Sequence, residues 1–72
     1  MTQAPELSYR RVVRALGRAG FAIKRQGKHL SMYSPQRNVV AIIPRHNPVK
    51  RTTLLRILKE IDMSLEEFQE LI

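Results

Sequence analysis

The chain has 72 residues, with thirteen Lys and Arg against six Asp and Glu, a net charge of +7 and no cysteine. This length allows one domain with a small core, and the absence of cysteine excludes disulfides, thiolate metal sites and a cysteine nucleophile. No apolar run approaches the roughly 18 residues of a membrane span, and no signal-type stretch begins the sequence. We therefore expect a single cytoplasmic domain over residues 1–72, without a membrane partner.

The charge is unevenly distributed along the chain. All thirteen basic residues lie at or before Lys59, where only Glu6 opposes them, so residues 1–59 carry a charge of +12. The five other acids give the last 13 residues a charge of −5. A segment this basic attracts polyphosphate. The charge therefore favours a surface that binds nucleic acid over one that is only solvated. Charge alone distinguishes neither RNA from DNA nor binding from cleavage.

The first predicted element is a helix that begins at Tyr9. Residues 1–7 show no periodicity and are expected to form a flexible arm, while Ser8 is a suitable N-cap. Apolar residues then recur at helical spacing, and arginines occupy the other sides of the helix. Gly20 is expected to end the helix in a left-handed cap, with Phe21 folding back onto the last turn.

A β-hairpin is predicted next. Residues 21–26 and 29–33 alternate between apolar and polar side chains, which is typical of half-buried strands. Residues 27–28 form the expected two-residue turn, with glycine in the first position.

This turn predicts a register for the hairpin and assigns its side chains to two faces. Lys24 lies opposite Ser31, and Gln26 lies opposite His29. One face is then apolar, and Arg25 should point to it. The other face carries the polar set Lys24, Gln26, His29, Ser31 and Tyr33.

A third strand is predicted over residues 39–43, after a turn at residues 34–38. Both faces of this strand are apolar, which is more apolar surface than a one-sided sheet needs. If the strand lies at the sheet edge, its spare face and free backbone groups can bind a partner; the alternative is that the terminal helix covers it. Residues 44–48 contain two prolines and are expected to form a loop.

Two further helices complete the chain. The first is expected over roughly residues 51–62, and Ser64 with Glu67 predicts a capping box for the second, which runs through Leu71. Together, the predicted elements give an α+β fold of order α-β-β-β-α with a short C-terminal helix. We expect a three-stranded antiparallel sheet with the helices on one face and His29 on the open face. Double-stranded-RNA-binding domains share this order of elements.

Two histidines are candidates for chemistry. An imidazole can donate or accept a proton at neutral pH, so His29 could act as general acid or base in RNA cleavage, with nearby cations stabilising the phosphoryl oxygens. The alternative is a surface histidine without function. His46 lies in the proline-bounded loop, where it could be an auxiliary acid or base, a phosphate contact or a turn residue. Because the carboxylates cluster at the far end of the chain, no metal site is expected.

Several basic side chains are candidates for phosphate binding. The arginines of the first helix form one stripe, which is either a phosphate track or a solvated face. Other basic residues surround the start of the second helix, where a helix N-terminus itself favours anions. The predicted RNA-binding set is Lys24, Lys28, Arg14, Arg18, Arg45, Lys50 and Arg51. Tyr33 could stack on a base, and Ser31 is a second possible auxiliary residue on the open face.

Four short segments occur in a recognisable order: LGRAGF at residues 16–21, RQGKH at 25–29, IPRH at 43–46 and TLLRIL at 53–58. Together they resemble the pattern of the HicA toxins, also called YcfA-like proteins, over residues 8–68. Three features depart from that pattern. Lys28 replaces a serine, Thr52 replaces a glycine, and no extra residue separates Gln26 from Gly27.

The resemblance implies a fold like that of double-stranded-RNA-binding domains and a function as an mRNA interferase, the toxin of a type II toxin–antitoxin system. The family's essential histidine falls on His29, and the family needs no known metal or other cofactor. A HicB-type antitoxin is expected to bind the toxin in a heteromeric complex and to mask that histidine.

Two alternative functions fit the same sequence. The first is a non-catalytic RNA-binding module that uses the same basic body, for which His29→Ala would change nothing. The second is a protein-interaction domain whose charge meets an acidic antitoxin. A neighbouring reading frame for a HicB-like protein would favour the toxin over the binding module.

Overall fold

The structure is a computed structural model that describes residues 6–72. Its elements are α1 (Tyr9–Arg18), β1 (Ala22–Gln26), β2 (His29–Ser34), β3 (Val39–Pro44), α2 (Arg51–Glu60) and α3 (Leu65–Leu71). The strands form one antiparallel sheet in the order β1-β2-β3. This confirms the predicted α+β fold. None of the helices within residues 6–72 is long and apolar enough to cross a membrane.

The helices pack on one face of the sheet and bury a single hydrophobic core. All three helices and strands β2 and β3 contribute large buried side chains, among them Val12, Leu16, Leu30, Met32, Ile43, Leu54, Ile57 and Phe68. Each fully buried aliphatic or aromatic side chain of this size contributes about 1.5–3 kcal/mol to folding. No residue of β1 is buried, so the core is centred on the other two strands.

Helix α1 begins and ends as the sequence predicts. The hydroxyl oxygen of Ser8 accepts a hydrogen bond from the Arg11 N–H at 3.3 Å. Gly20 has a φ of +98°, which lets the Phe21 N–H donate to the Leu16 carbonyl at 3.0 Å. A glycine makes this reversal without the strain that a Cβ would introduce.

The predicted flexible arm is wrong at its last residue. Leu7 is buried and exchanges backbone hydrogen bonds of 3.4 and 2.7 Å with Val49. A bridge of one residue pair leaves no periodicity in the sequence, so the pattern could not reveal it. Asn47 Oδ1 also accepts from the Tyr9 N–H at 2.6 Å, which joins the loop before α2 to the start of α1. The prediction for residues 1–5 lies outside the described residues.

A β-bulge changes the predicted register of the hairpin. After two pairs that follow the prediction, Arg25 pairs with Ser31 and Gln26 pairs with Leu30. Lys24 is the extra residue. The predicted pairing of Lys24 with Ser31, and of Gln26 with the first residue of β2, is therefore wrong. Alternation in a sequence gives no sign of one inserted residue.

The bulge also moves two side chains to the opposite face of the sheet. Residues directly opposite each other in an antiparallel pair share a face. Arg25 therefore lies on the open face with Ser31, although the sequence placed it on the apolar face. Gln26 lies on the helix-covered side with the buried Leu30, although the sequence placed it on the open face.

The hairpin turn has the predicted length but a different conformation. Within residues 6–72 only Gly20 is a glycine with a positive φ. Gly27 therefore does not form the glycine-first turn that the sequence predicts, which requires a positive φ at that position. Its N–H instead donates to the His29 carbonyl at 3.1 Å.

Strand β3 runs one residue further than predicted. Pro44, which the sequence placed in the following loop, pairs with His29. Because β3 lies at the sheet edge, a residue without an N–H is tolerated there. Val40 and Ile42 on the open face are 38% and 42% exposed, so the terminal helix does not cover this face. Helix α3 packs instead against α1 and α2.

The ends of the last two helices differ from the prediction in detail. Helix α2 ends at Glu60, two residues early, because Asp62 adopts a left-handed φ of +57°. Ser64 caps α3 as predicted by accepting from the Glu67 N–H at 3.0 Å. The Glu67 carboxylate, however, accepts from Arg37 in an ion pair rather than reaching back to the cap. Only half of the predicted capping box forms.

Alanine substitutions at Gly17 in α1 and at Gly20 just after it should change the free energy of unfolding in opposite directions. Gly20→Ala should lower the free energy of unfolding by about 1–2 kcal/mol, because a Cβ strains a positive φ. Gly17→Ala should raise it by about 0.5–1 kcal/mol, since alanine favours a helix and nothing lies within 4 Å of the added carbon. Urea denaturation measures both; changes of the same sign would contradict the assignment of the cap.

Candidate functional site

His29 begins β2 on the open face of the sheet and is exposed to solvent. Its neighbour Leu30 points into the core, so strand alternation directs the imidazole outward. A cleft of about 240 Å³ lies beside it, lined by His29, Ile42, Pro44, Arg56 and Glu60. We call this the histidine cleft. It brings an imidazole together with a guanidinium and a carboxylate from another element.

Helix α2 carries Arg56 and Glu60 to this cleft. The helix packs against β3 through a stripe that includes the fully buried Leu54 and Ile57. Arg56 and Glu60 are four residues apart and therefore lie on one side of the helix. Both side chains are exposed. Among residues 6–72, neither side chain of the cleft forms an ion pair; the pair that the structure shows there joins Arg37 to Glu67.

Neither of these α2 residues is among the site residues that the sequence pattern predicts. Arg56 was not among the predicted phosphate contacts, and Glu60 was grouped with the acids at the far end of the chain. That grouping is wrong for Glu60, which lies in the histidine cleft. Their four-residue spacing was visible in the sequence, but its meaning depends on α2 packing beside β3, which is a non-local contact.

Arg45 holds the hairpin tip next to His29. Its Nη1 donates to the Gly27 carbonyl at 3.2 Å, and Gly27 in turn donates to the His29 carbonyl. Arg45 was predicted as an RNA contact, and in the structure its guanidinium also connects the end of β3 to the turn. Lys28 lies at the tip itself and is exposed.

The remaining open-face residues lie along the two strands beside His29. The Lys24 ammonium is 5.7 Å from the centre of the Tyr33 ring, a cation–π distance. The Tyr33 hydroxyl donates to Asn38 Oδ1 at 3.2 Å, so this ring is held at its tip. Ser31 is half-buried between Arg25 and the opposite residue of β3. The open face thus brings Lys24, Arg25 and Tyr33 onto the same surface as His29.

The arginine stripe of α1 lies in other clefts. Arg11, Arg14 and Arg18 line one cleft of about 240 Å³, and Arg18 Nη1 donates to the Leu71 carbonyl at 2.8 Å. Arg14 also lines a cleft of about 390 Å³ on the helix side of the hairpin, together with Gln26 and Arg45. The structure therefore does not bring Arg14 or Arg18 into the histidine cleft.

His46 is also outside the histidine cleft. It lines a separate cleft of about 320 Å³ at the start of α2, with Lys50, Thr53 and Pro44. Only Pro44 borders both clefts. Arg51, the remaining predicted phosphate contact, is the first residue of α2. Across residues 6–72, no three His, Asp or Glu side chains are grouped as a metal site would require.

A comparison with protein families supports the resemblance seen in the sequence. Residues 9–63 match the family described as the HicA toxin of bacterial toxin–antitoxin systems. The matched region runs from the start of α1 past the end of α2, so it contains His29, Arg56 and Glu60. It covers more than half of the 72 residues. A comparison with curated proteins gave no match.

The bond between Arg45 and the turn should control local opening of the hairpin tip. Arg45→Met removes a hydrogen bond worth about 1 kcal/mol, so the Gly27 amide should exchange its hydrogen about fivefold faster. Hydrogen exchange followed by NMR measures this rate. Arg10→Met, in the same cleft, is the matched control and should leave the rate unchanged. Equal rates in all three proteins would show that Arg45 does not hold the tip.

Proposed function

Because the chain belongs to the HicA toxin family of bacterial toxin–antitoxin systems, we propose that it is an endoribonuclease that cleaves mRNA through His29. The observation that carries this proposal is the position of His29. Its imidazole is exposed on the one sheet face that the helices leave uncovered, beside a cleft that also holds a guanidinium. An mRNA substrate places its action in the cytoplasm.

The charge around His29 supports binding of an RNA backbone. Lys24 and Arg25 lie on the open face, and Lys28 lies at the hairpin tip. These three cations can each contact a phosphate, and such contacts position a strand without reading its sequence. Lys24, Lys28 and Arg45, which contacts the turn, belong to the predicted RNA-binding set, and the bulge adds Arg25 to them.

An imidazole at this position suits proton transfer during phosphodiester cleavage. In general an imidazole can give or take a proton in neutral water, as is needed when the P–O bond breaks. The Arg56 guanidinium in the same cleft can stabilise the charge that gathers on the phosphoryl oxygens. The residues present supply both functions from the chain itself, and we propose that cleavage needs no metal or other cofactor.

The chain pairs with an antitoxin as a member of its family, and we propose a HicB-type antitoxin that covers the open face. Val40 and Ile42 support this choice because they are exposed apolar residues on an edge strand, next to the histidine cleft. An edge strand offers free backbone groups as well as apolar contact. A partner seated there would cover His29 at the same time.

A second candidate function is a non-catalytic RNA-binding module. The hairpin turn favours it, since Lys28 stands where the HicA pattern has serine and Gly27 lacks the expected conformation. In this case the basic surface would bind RNA and His29 would be an ordinary surface residue.

Cleavage of labelled mRNA by the purified protein in EDTA separates the two functions. The wild type should cut, and His29→Ala should lower the rate by about 10²–10⁴-fold, because one proton-transfer group is lost. His46→Ala is the matched control and should cut like the wild type, since His46 lines another cleft. Equal cutting by the wild type and His29→Ala would remove His29 from the mechanism. RNA binding without cutting by any variant would favour the binding module.

Lys28→Ser should weaken RNA binding without abolishing cleavage. Losing one phosphate contact should reduce the slope of log affinity against log salt by about 0.7 for single-stranded RNA. Fluorescence anisotropy over a salt series measures that slope. Lys59→Ser removes the same charge from a separate cleft, which Lys59 lines with Asp62 and Glu67, and should change the slope less. An equal effect would mean that Lys28 acts only through net charge.

A further inference from the structure

We propose that Glu60 and Arg56 complete the active site, with Glu60 as general base, Arg56 as the group that binds the scissile phosphate, and His29 as general acid. This inference rests on the proposed ribonuclease function of His29. It goes beyond that function because it assigns each proton transfer, identifies the nucleophile and fixes the products.

The histidine cleft has a mixed lining. Two of its lining residues, Ile42 and Pro44, are apolar, and the other three are His29, Arg56 and Glu60. An acid–base pair and a cation are what phosphodiester transfer requires. The second histidine does not meet this need, because His46 lines a different cleft.

RNA cleavage moves two protons, which lie on opposite sides of the phosphorus atom. One proton leaves the attacking 2′-hydroxyl, and another joins the departing 5′-oxygen, so two separate groups serve the reaction best. In general a carboxylate is ionised and an imidazole is partly protonated in mildly acidic to neutral water. This combination makes Glu60 the base and His29 the acid.

The reaction then balances without a further reactant. The Glu60 carboxylate takes the proton of the 2′-hydroxyl as the 2′-oxygen forms its bond to phosphorus. The bond from phosphorus to the 5′-oxygen breaks, and that oxygen takes a proton from the His29 imidazolium. The products are a 2′,3′-cyclic phosphate and a 5′-hydroxyl. Exchange with water restores both side chains, while the Arg56 guanidinium faces the two non-bridging oxygens throughout.

Glu60 is also poorly positioned to stabilise α2. It is the last residue of α2, where the helix dipole disfavours a negative charge. A glutamate four residues after an arginine is also the weaker order for an ion pair on a helix, and within residues 6–72 no ion pair joins Glu60 to Arg56. A surface salt bridge therefore does not explain the pair, whereas a shared substrate phosphate and its 2′-hydroxyl do.

Four variants test the proposal in single-turnover cleavage of a labelled single-stranded RNA. Glu60→Gln should lower the rate by about 10²–10⁴-fold and should not lower the thermal midpoint, because a neutral side chain suits the end of α2. Arg56→Gln should lower the rate by about 10²–10³-fold, and Arg56→Lys should restore part of it. Glu66→Gln is the matched control on α3 and should cut like the wild type.

Three readouts distinguish a catalytic role from a structural one. RNA affinity should be unchanged or higher in Glu60→Gln. The rate should lose its dependence on a deprotonated group at the acidic side of the pH profile; the other titratable or charged groups that line the cleft with Glu60 are His29 and Arg56. An RNA with a 2′-deoxy sugar at the cleaved bond should stay intact.

The possible outcomes distinguish failure of these assigned roles from failure of the proposed ribonuclease function. If His29→Ala is inactive while Glu60→Gln cuts within threefold of the wild type, the roles assigned here are wrong and the ribonuclease function stands. Products with a 5′-phosphate would mean attack by water and would also overturn the assignment. If the wild type itself binds RNA without cutting it, both the function and this inference fail.

Discussion

The packing of α2 against β3 is the contact on which both the core and the candidate site depend. A domain of this size has one thin core, and the inner side of α2, with Leu54 and Ile57, supplies part of its centre. The outer side of the same helix carries Arg56 and Glu60 to the cleft beside His29. Helix geometry fixes the positions of these residues relative to one another. Burial of Leu54 and Ile57 therefore also determines where Arg56 and Glu60 lie. The backbone that carries the site is therefore positioned by the core.

Local irregularities of the backbone then decide which side chains share the open face. The bulge at Lys24 brings Arg25 opposite Ser31 and sends Gln26 to the helix side. A regular strand would have kept Arg25 away from the open face. Bulges commonly redirect side chains near functional sites, and here the effect is one more cation on the surface that carries His29. The bond from Arg45 to the turn fixes the end of the same hairpin.

Sequence reasoning recovered the features that depend on local chemistry. Ser8 and Gly20 bound α1 because caps are set by a few adjacent residues, and strand alternation placed His29 on the open face. It failed where the outcome depends on distant contacts or on single insertions. The bridge at Leu7, the bulge at Lys24 and the position of Glu60 are of this kind. Glu60 was grouped with the acidic tail because chain position is a poor guide to position in space once a helix packs back on a sheet edge.

The proposed function would require two different surface chemistries on the uncovered face of the sheet. RNA binding favours cations, and a protein partner favours apolar surface. The structure separates them across one short sheet: the cations lie on β1 and at the hairpin tip, while Val40 and Ile42 lie on β3. His29, on the middle strand, borders both regions. A partner that docks on the apolar edge needs to extend by only one strand to cover the imidazole, since neighbouring strands are about 4.8 Å apart. Under the proposed function, the position of His29 on β2 would make catalysis and its inhibition two uses of one surface.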